Sequence, residues 1–223
     1  MTERQAETQR LSDENFRIAN IDALTGLPNR RQFFSALGEA FAEAETRRQS
    51  LAIGLIDLDG FKPVNDVYGH AIGDRLLRLV AERVSRLLGK DVTLARLGGD
   101  EFGLIVRAPG DEAVVLGLGE RISASLKQSF DLPQVRVQIA ASIGFAIYPK
   151  AAATAELLYE RADYALYNAK ETKRGGVALF TDQHERNIRE QSETAQRLRA
   201  ADLEAELWVA FQPIVDARLG RAI

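Results

Sequence analysis

At 223 residues, 46% hydrophobic and 27% charged, the chain has the composition of a folded globular protein and the length of one domain with elaborations, which excludes a disordered or fibrous class. A formal charge of −3 argues against general nucleic-acid binding, so a polyanionic ligand would need a local cluster of cations. There is no cysteine, hence no disulfide or thiolate metal site, which fits a reducing, cytoplasmic setting. No apolar run is long enough for a membrane span, and residues 1–20 are too polar for a signal peptide.

Residues 1–20 read as a linker helix with a thin apolar stripe at Leu11 and Ile18, extending to Ile21. A turn follows at "LTGLPNR", where Asn29 is placed to cap a helix running to about Arg48 that buries Phe33, Phe34, Leu37 and Phe41. "SLAIGLIDLDGF" is an apolar run ended by Asp57 and Asp59, the pattern of a strand buried on both faces. A helix from about Gly73 to Leu88 would bury Leu76, Val80, Val84 and Leu87, and "VTLARLGGDEFGLIV" reads as two strands joined by a Gly-Gly turn. The next helix spans about Asp111 to Phe130, with Val115, Leu118, Ile122 and Leu126 on one face. "VRVQIAASIGFAIYP" is a β-rich run stopped by Pro149. A helix from about Thr154 to Thr172 carries Leu158, Ala162, Ala165 and Ala169, and "GVALF" closes the unit as a strand. From Asp182 to about Glu206 the composition is strongly charged and reads as a connecting helix, and "WVAFQPIVD" reads as a strand beyond it.

Three clusters carry candidate chemistry. Asp57, at a strand end, and Asp100 with Glu101, at the Gly98-Gly99 turn, would bring two or three carboxylates around one point. Such a group raises its own pKa values or holds a hard divalent cation such as Mg²⁺ with its substrate phosphates. Glycines there let backbone N–H groups approach a ligand closely, although a hairpin turn with solvated acids would also account for them. The second cluster, "DGFKPVNDVYGHAIGDRLL", holds Lys62, Asn65, Asp66, His70 and Asp74. Asn and Asp together can read the donor and acceptor edge of guanine; loop polarity with helix capping by Asp74 or a neighbour is the plainer account. In the third, Lys170 and Arg174 lie four apart near a helix end, on one face, where they can bind phosphate or complement the helix dipole.

The segments "DALTGLPNR", "DLDGFKPVNDVYGHAIGDRLL", "ARLGGDEF", "ASIGFAIYP" and "ADYALYNAK", in this order, resemble the GGDEF domain family of diguanylate cyclases. The resemblance covers residues 21–181. It implies an α/β (α+β) fold of the nucleotide-cyclase and polymerase-palm type, a central mixed sheet with a ferredoxin-like core flanked by helices. It also implies a nucleotidyltransfer reaction that joins two GTP into cyclic di-GMP across a homodimer and releases two pyrophosphates. By matching positions, Asp57, Asp100 and the backbone carbonyl of Leu58 would hold Mg²⁺ or Mn²⁺, and Asp100 or Glu101 would activate the attacking hydroxyl. Asn65 and Asp74, with His70 nearby, would recognise guanine. Phe61 and Lys62, with Gly98, Gly99, Lys170 and Arg174, would surround the triphosphate.

Two departures from the family pattern stand out. Where many members carry an Arg-x-x-Asp product-inhibition motif, this chain has Gly89 or Leu88 at the Arg position and a displaced Asp91, so inhibition through that site is not expected. The usual Gly-Arg-Asn after the last helix reads Lys173-Arg174-Gly175. The tail, "LEAELWVAFQPIVDARLGRAI", resembles the opening of the EAL domain of cyclic di-GMP phosphodiesterases, with Phe211 in place of its Tyr and none of its catalytic acids. Residues 207–223 are therefore expected to be the first strand of a truncated EAL domain, and the chain a piece of a GGDEF-EAL tandem. That context supplies an alternative to the enzyme: a GTP-binding module that regulates an attached phosphodiesterase.

Overall fold

The computed structural model describes residues 18–200 together with 215, 216, 218, 221 and 222. Most of the expected leading helix, and residues 208–214 of the strand expected over Trp208–Asp216, lie outside the described residues, although residues 18–20 are helical. The chain divides into two compact units, Met1–Asp182 and Gln183–Ile223.

In the first unit, helix α1 (Arg30–Arg47) starts where the Asn29 side chain accepts from the Gln32 amide at 3.0 Å, the expected cap. Its buried stripe is Phe33, Leu37 and Phe41, spaced by four. Phe34, expected in that stripe, lies about 100° away around the helix, stays 37% exposed and packs against the Tyr159 ring at 5.0 Å. Strand β1 (Leu51–Asp59) is followed by two helices, α2 (Phe61–Tyr68) and α3 (His70–Ser85), separated by Gly69 at φ +82°. The polar segment before Gly73 is thus helical rather than a connector, because Phe61 and Val64 give it a buried face at i, i+3. Helix α3 begins at Gly69 without a side-chain cap, so Asp74 is not a capping residue, and it ends before Leu87.

Strands β2 (Val92–Gly98) and β3 (Glu101–Arg107) form the expected hairpin. Helix α4 (Glu112–Leu126), capped by Asp111, stops short of Phe130, which opens a small hairpin of β4 (Phe130–Leu132) and β5 (Val135–Val137). The run read as one strand is therefore two, with β6 (Ala140–Tyr148) carrying its second part. Helix α5 (Ala155–Lys173), capped by Thr154, and β7 (Val177–Leu179) complete the unit. In the second unit, α6 (Asp182–Ala200) includes the charged segment, and β8 (Val215–Asp216) pairs with β9 (Arg221–Ala222).

The five-stranded sheet has the order β2-β3-β1-β6-β7, antiparallel except for the parallel β6–β7 edge. The succession β1, helices, β2, β3, α4, β6 is the βαββαβ arrangement of ferredoxin-like folds. Central strand β1 is buried on both faces, and its alternation splits the core. Ala52, Ile56 and Leu58 pack with residues of α2, α3 and α4; Leu51, Ile53 and Leu55 pack with those of α1 and α5.

Helix α5 rides directly on β6, since a Cβ at Gly144 would land on the backbone nitrogen of Leu166 and the carbonyl oxygen of Ala162. Backbone cannot give way as a side chain can. Gly144→Ala is therefore expected to cost about 3 kcal/mol in urea unfolding, while Gly38→Ala, at an exposed helical position with open space around it, gains about 1 kcal/mol. Equal effects of the two substitutions would contradict this packing.

Candidate active site

The alternation that buries Leu51, Ile53 and Leu55 carries on to Asp57 and Asp59, so both carboxylates leave the sheet on the face covered by α1 and α5. Glu101 stands opposite Asp57 in the β1–β3 register. Asp100 sits in the turn just before it, and its carbonyl oxygen accepts from the Leu58 N–H at 3.3 Å. Gly98 and Gly99 take φ of +142° and +50°, conformations that other residues rarely adopt, and this lets the hairpin close in so few residues.

Crowding these acids has an electrostatic cost. Burial pushes the Asp100 carboxyl above the ordinary range, and neighbouring Asp57 adds to it against the pull of Lys170 and Arg96. Glu101 is raised by burial and then by Asp57 and Asp100, with Arg30 opposing. Asp57 itself pairs with the ammonium of Lys170 at 2.8 Å, the two side chains 17% and 34% exposed. Among the described residues no three acidic or histidine side chains converge tightly enough to form a finished metal cage. The donors nevertheless suit a hard dication: they are carboxylate oxygens beside a backbone carbonyl, they repel one another, and a cation already rests on Asp57.

On the other side of the sheet end, Asn65 of α2 is half-buried and its Oδ1 has no hydrogen-bond partner. Gly73 of α3 makes room for that oxygen, since a Cβ there would land on it. An unpaired buried amide oxygen is costly unless a ligand or water completes it. Asp74, His70 and Lys62 are exposed, whereas Phe61 is a core residue at 7% exposure. Helix α5 ends at Lys173, and Arg174 caps it with a helical φ of −51°, so its side chain still leaves on the side of Lys170; Arg174 is exposed, while Lys170 reaches Asp57.

Residues that reasoning from the sequence did not single out hold the turn in place. Arg96 donates to the Gly99 carbonyl through Nε (3.1 Å) and Nη2 (2.8 Å), and through Nη1 to both oxygens of Asp22 at 3.1 Å. Asp22 Oδ1 also accepts from the amide (2.9 Å) and hydroxyl (2.6 Å) of Thr25. The available signal was an arginine two residues before the Gly-Gly pair in an otherwise apolar strand. Burial works against the Asp22 charge, but Thr25 and Arg96 outweigh it and hold the carboxyl below the usual range. With side chains only 12% and 22% exposed, the pair is shielded enough that Asp22→Ala is expected to cost about 1–3 kcal/mol at neutral pH. A depressed carboxyl contributes stability above its unfolded-state pKa and loses it as pH falls through the folded value. The difference between wild type and Asp22→Ala in urea unfolding should therefore hold down to about pH 4 and shrink below it; a difference independent of pH in that range would contradict the assignment.

Comparison with known proteins agrees with this architecture. Residues 19–176 match the family described as "Diguanylate cyclase, GGDEF domain". The chain is 39% identical over 216 residues to the bifunctional diguanylate cyclase/cyclic di-GMP phosphodiesterase MucR of Pseudomonas aeruginosa, covering 96% of this chain and 31% of that protein. It is 34% identical to the cyclic di-GMP phosphodiesterase PdeR of Escherichia coli, over 94% of this chain and 32% of PdeR. It thus spans about a third of the length of these relatives. Among solved structures, the GGDEF domain of TpbB (YfiN) from Pseudomonas aeruginosa superposes with a TM-score of 0.72 at 37% identity, covering 76% of this chain and 99% of that one. The coiled coil and GGDEF domain of DgcB from Caulobacter crescentus, in complex with c-di-GMP, gives 0.72 at 32%, covering 78% and 94%. With the palm-like sheet, the Gly-Gly-Asp-Glu-Phe turn and a match over most of the chain, the protein belongs to the GGDEF domain family of diguanylate cyclases.

Proposed function

We propose that the chain is an active diguanylate cyclase that condenses two GTP into cyclic di-GMP, with two chains facing each other and one GTP on each. The observation that carries this reading is the crowding of Asp57, Asp100 and Glu101 beside Lys170 at the end of β1, with both turn carboxyls raised. Relatives named as cyclases, MucR and the 38%-identical TpbB, support it.

On this reading, guanine enters between α2 and α3. The unpaired Oδ1 of Asn65 has no bond to give up, and Asp74 accepts from the base. Lys170, Arg174 and Lys62 surround the triphosphate with the Gly98–Gly99 backbone, which supplies the local cations that the net charge of the chain does not. Asp57, Asp100 and the Leu58 carbonyl would hold Mg²⁺ or Mn²⁺, whose chemistry there is neutralisation of phosphate charge. Asp100 or Glu101 takes the proton of the 3′-hydroxyl, a role suited to a carboxyl raised above its ordinary range. A bond forms between that oxygen and the α-phosphorus of the facing GTP, the α–β bridging bond breaks, and pyrophosphate leaves with the electron pair. The same step with roles exchanged closes the ring.

A second reading, a GTP-binding regulator of an attached phosphodiesterase domain, is favoured by two observations. The Asp57 carboxylate is already engaged by Lys170, and a relative named as a phosphodiesterase aligns along most of this chain. An EAL neighbour beyond residue 206, a cytoplasmic location and escape from product inhibition belong to the same proposal. For the last, Gly89 stands where the motif arginine would be, and the groove beside it is lined by Val92, Val106, Val114 and Leu118 with Glu120 and Arg121 from α4.

The test is incubation with GTP and Mg²⁺ at high protein concentration, followed by separation of the nucleotides. Cyclic di-GMP is expected from wild type and is expected to fall by at least about 100-fold in Asp100→Asn. A raised carboxyl means that its charged form opposes folding at neutral pH, an effect relieved only as pH falls and the group takes up its proton. Asp100→Asn should therefore melt at or above the wild-type temperature at pH 7 while losing product. Intact GTP with detectable binding would favour the regulator instead.

A further inference from the structure

Asp59 lies two residues beyond Asp57 on the same face of β1, yet it reaches neither Asp57 nor the turn. Its Oδ2 accepts two hydrogen bonds, from Ser142 Oγ at 2.8 Å and from the Gly175 N–H at 3.0 Å. The Gly175 N–H also leans on Ser142 Oγ at 3.1 Å, and the Gly175 carbonyl accepts from the buried Ser123 hydroxyl at 2.8 Å. Next along the chain, the Gly176 carbonyl accepts from the Ile143 N–H at 3.0 Å and its N–H donates to the Lys173 carbonyl at 2.9 Å. Gly175 is buried at φ +72°, and a Cβ there would press on Ala140 Cβ at 3.1 Å and Lys127 Cε at 3.2 Å. The segment that leaves α5 is thus fixed from β1, β6 and α4 at the residue after Arg174.

This explains how Arg174 can serve a site although it has left its helix. Its side chain is exposed, but its backbone lies between the last residue of α5 and a glycine held on both polar groups. Hydrogen bonds to a carboxylate are stronger than neutral ones, so Asp59 is the strongest of these anchors. We infer that Asp59 is a positioning residue for the triphosphate: by holding Gly175 it orients Arg174, and with it the end of α5 that carries Lys170, toward the substrate phosphates. This rests on the GTP-binding reading above. It differs from a role for Asp59 as a further metal ligand, because it rests on two bonds to one oxygen from donors that an amide oxygen can also accept, whereas an amide is a poor replacement for a metal-binding carboxylate.

The experiment compares binding of GTP and of guanosine to wild type, Asp59→Ala and Asp59→Asn, each with Mg²⁺ and again in EDTA. Asp59→Ala is expected to weaken GTP by about tenfold while guanosine binding is unchanged, and the loss should persist in EDTA. Asp59→Asn, whose Oδ1 can accept both bonds, should restore GTP affinity to within about twofold of wild type. Unchanged guanosine binding reports that the Ala variant is folded; should it not fold, Ser142→Ala removes one donor and is expected to give a smaller loss confined to GTP. Wild type that binds no GTP overturns the functional reading and this inference together. Wild type that binds GTP, with Asp59→Ala equal to it or Asp59→Asn as weak as Ala, overturns the inference alone, and a loss that disappears in EDTA assigns Asp59 to the metal instead.

Discussion

The guanidinium of Arg96 ties the signature hairpin to a segment 74 positions earlier in the chain. It bonds the Gly99 carbonyl at the tip of the signature hairpin and both oxygens of Asp22, in the segment that leads into α1. A turn built on two glycines with positive φ has little stiffness of its own. Fixing its carbonyl therefore decides where Asp100 and Glu101 lie relative to Asp57, and the rest of the site depends on that placement. The same contact makes the leading segment part of the site: a movement of the chain before Asp22 would pull on the arginine that holds the turn.

Against this scaffold the site is assembled at an electrostatic loss. Three carboxylates from β1, the turn and β3 stand together, burial and then mutual repulsion raise two of them, and Lys170, paired with Asp57, only partly offsets this at Asp100. Stored repulsion of this kind is what a dication and a polyphosphate relieve together, one neutralising the acids and the other neutralising the surrounding cations. The unpaired Oδ1 of Asn65 is a second unsatisfied element at the opposite side of the same sheet end. Both departures from good internal bonding occur at the carboxyl end of β1, whereas the two halves of the core beneath it are continuous apolar clusters. Conflict between local chemistry and stability gathered at the end of a central strand is the mark of a site.

Much of this could be read from the residues. The sheet strands followed from apolar runs and their punctuation, and the cap at Asn29 followed from residue type. Helix α2 escaped because Lys62, Asn65 and Asp66 outweigh its two buried residues, and its burial depends on tertiary contact rather than on pattern. The break between β5 and β6 escaped because strand propensity continues through Gln138 and Ile139. The motif residues were found, but how they are held was not: Arg96 meets Asp22 across 74 positions and Gly175 meets Asp59 across 116, distances over which local pattern carries no information.

The account stands on one claim: the carboxylates at the end of β1 and in the glycine turn act together as the seat of a dication that accompanies GTP. Its most direct test is nuclear magnetic resonance of the labelled protein with GTP while Mn²⁺ is added in small steps, since the paramagnetic ion broadens only nearby nuclei. The account predicts early broadening centred on the amides of Asp57, Leu58, Asp100 and Glu101, reversed by excess Mg²⁺. Broadening centred elsewhere, or none in this region while GTP is bound, would contradict it.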